Sequence, residues 1–180
     1  PGEDFQKMKL LIADYQQHAW TQGLQKLGVE DETLGKELAS YFPRMRKENP
    51  FVYEETFEVL DKLKNNYTLL LMTNGSPSLQ NTKLEITPEI SPYFDHIIIS
   101  GAFGKGKPDP SIFEHALELV SVSKEEVLMV GDNLMTDILG ASRAGIQSVW
   151  INREAKPVSE EIQPTYTIKS LHDLLNILEQ

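Results

Sequence analysis

Cysteine is absent from the 180-residue sequence, which excludes disulfides, thiolate nucleophiles and zinc–thiolate centres. That absence suits a reducing compartment, and the expectation is a cytoplasmic protein. No apolar run reaches the length that spans a bilayer, and no stretch reads as a signal peptide. Positive charge is scarce: 17 Lys and Arg against 27 Asp and Glu leave a formal net charge of −10. Without a dense basic run, the surface as a whole is no partner for nucleic acid or an anionic membrane. A phosphate ester stays open, because it needs only a local cation or a helix N-terminus. The chain begins at Pro1 and not at Met, so a segment upstream is expected to have been removed or left out.

What is present is globular in composition, with 40% hydrophobic and 24% charged residues. The length suits one core plus a small accessory lobe. Residues 1–49 read as helices only. Phe5, Met8, Ile12, Tyr15 and Ala19 form one helical stripe, and Leu34, Leu38 and Tyr41–Phe42 a second. Pro43 and Pro50 bracket a connection. Trp20, Tyr15 and Tyr41 are expected in a helical core in preference to a substrate mouth. Glu30–Glu32 reads as a helix start.

From about residue 50 onward, helices alternate with short apolar strands at 67–72, 96–100, 127–130, 148–151 and 166–168. Runs apolar on both faces suit a parallel sheet covered on both sides. Asp109–Pro110 caps a helix with Ile112, Phe113, Ala116, Leu117 and Val120 inward. Ser123–Glu126 has the pattern of a capping box. Residues 134–144 read as a helix ending at Gly145, and Ser170 as the cap of a last helix. The predicted class is α/β, a doubly wound parallel sheet flanked by helices.

Ligands of such sheets bind beyond the carboxyl ends of the strands, where three polar clusters fall. Thr73, Asn74 and Gly75 follow one strand, and a hydroxyl and backbone N–H groups there can hold phosphoryl oxygens. Lys107, in Gly-Lys-Pro-Asp-Pro, brings a positive charge that neutralises phosphate. Asp132 and Asp137 follow Gly131 and offer two hard oxygen ligands of the kind that hold Mg²⁺. Each cluster alone is ordinary turn chemistry. Their joint occurrence at strand ends points to a phosphoryl-transfer site. Asn133 either supports that turn or caps the following helix. The four histidines have no metal-ligand spacing.

These segments resemble the haloacid dehalogenase (HAD) superfamily: Thr73-Asn74-Gly75 its second motif, Lys107 its third, Gly131-Asp132 with Asp137 its fourth. The stretch from Val127 through Gly145 to Asn152 looks most like the branch of pyrimidine 5′-nucleotidases and N-acylneuraminate-9-phosphatase. The resemblance implies a Rossmann-like core over residues 50–180 with a partial helical cap over 1–49. It implies a Mg²⁺-dependent hydrolase of a small phosphomonoester, a nucleoside monophosphate or a sugar phosphate, acting through an aspartyl-phosphate. Thr73 and Lys107 would hold the phosphoryl oxygens, and Asp132 and Asp137 the metal. The family's first motif, Asp-x-Asp-x-Thr, is not found, and no Asp-x-Asp occurs in the 180 residues. The core is therefore expected to lack its first strand, leaving two unpaired inner edges, and the isolated chain to fold poorly and turn over nothing. A carbon–halogen hydrolase and a non-catalytic binding module on the same fold are the alternatives. Oligomeric state is not legible.

Overall fold

The computed structural model describes residues 3–158 and 160–179, with the side chains of residues 3–10 and 12 outside the description. Phe5, Met8 and Ile12 of the predicted first stripe fall among these. The chain divides into two compact units, Pro1–Phe51 and Val52–Gln180.

The first unit is a helical pair, α1 (Glu3–Lys26) and α2 (Glu32–Glu48). Asp31 caps α2 by accepting from the Leu34 N–H at 2.9 Å, the helix start expected at residues 30–32. The helices approach closely at Gly35, where a Cβ would collide with the Thr21 side chain. Two expectations are corrected here. Pro43 lies inside α2 and brackets nothing. Tyr15 and Tyr41 are not core residues but are 74% and 48% exposed; Trp20 packs edge-on against Phe42.

The second unit is α/β. Its elements run α3 (Thr56–Lys64), β1 (Leu70–Thr73), α4 (Pro77–Ile86), β2 (His96–Ile99), α5 (Ser100–Phe103), α6 (Pro110–Val120), β3 (Leu128–Gly131), α7 (Leu139–Ala144), β4 (Gln147–Ile151), β5 (Tyr166–Ile168) and α8 (His172–Leu178). Among the described residues all pairings are parallel, and they form two sheets, β1–β2 and β3–β4–β5. β1 and β3 do not pair with each other. The same helical layers nevertheless cover both sheets. Val59 and Leu63 of α3 and Leu174 of α8 pack with Val149 and Ile168, joined by Leu69 and by Leu128 and Val130 of β3. On the opposite face Ile112 and Phe113 of α6 and Ala141 of α7 pack with Ile98, joined by Leu70 and Met72 of β1 and by Met129. Alternate residues of β3 thus serve opposite faces, which is why the sequence shows a continuous apolar run.

Two helix ends differ from the sequence reading. Residues 134–144 open with a π-helical turn, Leu134–Ile138, before α7 begins. Ser170 does not cap α8. Instead Asp173 Oδ2 accepts from the N–H groups of Lys169 and Ser170 at 3.0 and 3.1 Å, which holds its carboxyl below the ordinary carboxylate range. The Ser123–Glu126 capping box is present, on a 3₁₀ turn.

Candidate active site

The site is assembled where β1 and β3 end. Beyond β1, the Asn74 side chain grips the backbone of Lys107 at two points. Its Nδ2 donates to the Lys107 carbonyl at 2.7 Å, and the Lys107 N–H donates to its Oδ1 at 2.9 Å. Residue 106 must be small for this, since a Cβ at Gly106 would stand 2.8 Å from Asn74 Oδ1. The Lys107 side chain then turns back over the strand. Its Nζ donates to the Met72 carbonyl of β1 at 2.9 Å and lies 2.7 Å from Asp137 Oδ1. Both side chains are buried, at 9% and 7% exposure, so this is a desolvated ion pair and not a surface contact.

Asp137 is held from its own side. Its Oδ2 accepts from the Asn133 N–H at 3.0 Å. Asn133 Oδ1 accepts from the N–H groups of Met135 and Thr136 at 2.9 and 3.2 Å, the capping alternative left open for this residue. A Cβ at Gly131 would collide with Asp137 Oδ2; glycine at the end of β3 lets the carboxylate lie against the strand. Asp132, by contrast, is exposed. Its backbone carbonyl accepts from Trp150 Nε1 at 3.0 Å, which fixes the β3 turn to the end of β4. Beside it opens a cavity of about 270 Å³ lined by residues including Asp132, Trp150, Arg153 and Lys156. Asn152 closes the loop below by gripping the N–H and the carbonyl of Lys156, both at 2.8 Å. Glu154, and to a smaller degree Asp132, raise the Lys156 ammonium above its usual value.

Of the six residues singled out from sequence, Asn74, Lys107 and Asp137 are joined by direct contacts. Thr73 precedes Asn74 at the end of β1, and Asp132 shares the β3 turn with Asp137. One anticipated donor is already engaged, since the Gly75 N–H donates to Ser100 Oγ at 3.0 Å; the Asn74 side-chain amide, for which no role was expected, is committed to Lys107. Both oxygens of Asp137 are likewise taken, by Lys107 and by Asn133. Sequence reading missed Gln80, Ser100 and the indole of Trp150. The helix that carries Gln80 was not foreseen, although Ser76 followed by Pro77 is a capping signal of the kind read at Asp109–Pro110.

The donor set suits a hard cation in part. Asp132 offers a carboxylate not spent on the fold, and Mg²⁺ commonly takes one or two carboxylates with waters and substrate oxygens completing its shell. Among the described residues no group of three or more His, Asp or Glu could hold a metal.

Residues 3–145 match the model of the haloacid dehalogenase-like hydrolase family. This chain belongs to that family. Among its relatives, a phosphoserine phosphatase of Thermus thermophilus is 34% identical over 160 residues, which is 89% of this chain and 64% of that protein. The chain thus spans under two thirds of that relative's length. The mouse N-acylneuraminate-9-phosphatase is 33% identical, over 98% of this chain and 73% of its own. The crystal structure of the HAD-hydrolase YfnB from Bacillus subtilis, bound to magnesium, superposes with a TM-score of 0.75 at 27% identity, covering 100% of this chain and 85% of that one. A 2-haloacid dehalogenase from Pseudomonas syringae gives a TM-score of 0.67 at 26% identity, over 93% and 71%. The HAD assignment made on the motifs and the α/β class read from the alternating helices and strands agree with these matches.

Proposed function

We propose that this chain supplies the phosphate-holding and metal-holding side of a Mg²⁺-dependent phosphomonoester hydrolase. The observation that carries the reading is the Lys107 ammonium, fixed 2.9 Å from the end of β1 and 2.7 Å from a carboxylate beyond β3. A buried cation at the carboxyl ends of parallel strands is where a phosphoryl dianion gains most from electrostatic stabilisation. The phosphatases among the relatives support the same chemistry.

In the proposed site the Lys107 Nζ and the Thr73 hydroxyl donate to phosphoryl oxygens. Asp137 holds the lysine in place. Asp132 would hold Mg²⁺, with Asp137 reaching it directly or through water; when bound, the ion offsets repulsion between an anionic nucleophile and an anionic phosphate. The nucleophile is an aspartate outside these 180 residues, forming an aspartyl-phosphate that water then hydrolyses with help from a second aspartate. Residues 1–49 act as a cap that selects the leaving group, a nucleoside or a sugar.

The test is phosphate release by the full-length gene product from a panel of nucleoside monophosphates and sugar phosphates, with Mg²⁺ and then with EDTA. Turnover that EDTA abolishes and that Lys107→Ala lowers at least a hundredfold is expected; one charge-stabilising donor is typically worth about that factor or more. Halide release from a 2-haloacid, unaffected by EDTA, would support the dehalogenase alternative. Failure to trap beryllofluoride would point to a non-catalytic module.

A further inference from the structure

α4 contributes a glutamine that none of the chemistry above uses. Gln80 is 6% exposed. Its Nε2 donates to the Asn74 carbonyl at 2.9 Å, and it fills the space a Cβ at Gly75 would need. Asn74 is therefore gripped twice. Gln80 holds its carbonyl from α4, while its side chain holds Lys107 at 2.7 and 2.9 Å. The next residue is pinned too, because Ser100 Oγ, at the end of β2, accepts from the Gly75 N–H. Among the described residues Lys107 has no comparable anchor on α6: its backbone is fixed through Asn74 and its ammonium through Met72 and Asp137.

We propose that Gln80 is a positioning residue, which sets Asn74 and through it the place of the Lys107 ammonium at the end of β1. Neither Gln80 nor α4 touches the reacting groups; the effect travels through two consecutive hydrogen-bonded contacts. Removing the Gln80 donor leaves a part-buried carbonyl unpaired and lets the turn after β1 shift. Displacements well under the length of a hydrogen bond are enough to weaken a positioned catalytic group.

Two variants separate the hydrogen bond from packing. Gln80→Met keeps the length and apolar fill without the donor. Gln80→Glu keeps the shape but sets a carboxylate oxygen against a carbonyl. The first readout is hydrogen exchange at the Lys107 amide, whose N–H donates to Asn74 Oδ1, measured on the full-length product with the amides of α6 as internal reference. Exchange at Lys107 is expected to rise roughly tenfold in either variant while α6 is unchanged, the size expected for one lost hydrogen bond. In an Asn74→Ala background the same Gln80 substitutions should add nothing to exchange around Lys107. The proposal is overturned if Lys107 exchange stays at the wild-type rate, or if it rises only in proportion with α6. Should Gln80→Glu fail to fold, the Gln80→Met result decides alone. A second readout rests on the phosphatase reading: kcat of the full-length product should fall roughly tenfold in Gln80→Met with KM unchanged. A wild-type product without turnover would sink that reading and leave the exchange result to judge Gln80.

Discussion

Lys107 and Asp137 carry opposite charges in a place where water screens neither. Two buried charges at 2.7 Å stabilise each other strongly, but each has also lost its hydration. The consequence is asymmetric. Removing one partner strands the other, whereas removing both removes the cost as well. We expect Lys107→Met to destabilise the fold by about 3 kcal/mol and Asp137→Asn by somewhat less, with the double variant well short of the sum. Urea unfolding of the four proteins checks this, and additive losses would contradict a coupled pair. At this scale the sequence was legible where chemistry sits in a short motif. Lys107, Asp132 and Asp137 stand out only together, because their clusters all fall beyond the carboxyl ends of strands; singly, each is ordinary turn chemistry. Gln80 was not legible. A glutamine inside a helix is unremarkable until its amide is seen against the Asn74 carbonyl. Nor could spacing reveal that the Gly75 N–H is committed to Ser100.

Elements place these residues, and their ends matter more than their middles. α6 begins three residues after Lys107, and its start is fixed by Asp109. Asp109 Oδ1 accepts from the Ser111 N–H at 3.0 Å and from the Ser111 hydroxyl at 2.6 Å. These bonds hold its carboxyl below the ordinary range, with Lys105 adding a smaller contribution. The cap therefore sets both the start of a core helix and the exit of the Lys107 loop. Asp109→Ala should cost about 1 kcal/mol of unfolding free energy, and Asp109→Asn only a fraction of that, because asparagine still accepts. Thermal or urea unfolding of both variants decides it; an equal loss would mean that charge and not hydrogen bonding is what counts. This cap was readable from Asp109–Pro110 alone. The π-helical turn at Leu134–Ile138 was not, because its apolar positions fit an α-helix equally well. What accompanies it is a set of side-chain contacts that periodicity does not show: Asn133 caps the turn, while Asp137 accepts from the Asn133 N–H and lies against Gly131. The last helix was misread for a similar reason. Ser170 looked like the cap, but the bonds run the other way: Asp173, one turn further on, accepts from the N–H groups of Lys169 and of Ser170 itself.

Across the α/β unit, the alternating pattern made the layered architecture legible, since continuous apolar runs separated by capped helices leave few other arrangements. Contacts between elements distant in sequence were not legible, and one of them responds to pH. Glu58 of α3 accepts from Lys62 at 2.7 Å and meets His172 Nε2 of α8 at 3.0 Å. Lys62 first, and then His172, lower its carboxyl from 4.5 to about 2. A carboxyl whose folded pKa is depressed stabilises the fold above its unfolded value and loses that contribution as pH falls through the folded one. The window is thus from about 4.5 down to about 2. The group is solvent-exposed, so the effect is modest and weakens with added salt. At pH 5.5 and low salt, Glu58→Gln should lower the urea midpoint relative to wild type. That gap should narrow as pH drops below 4.5 and close near 2. A carboxyl-carbon NMR titration of Glu58 gives the same window independently. A midpoint gap that stays constant down to pH 2, or a Glu58 carboxyl titrating at its ordinary value, would mean that the Glu58 carboxylate adds nothing to the apolar packing of Val59, Leu63 and Leu174 and the Leu171–Glu55 hydrogen bond that join α3 to α8.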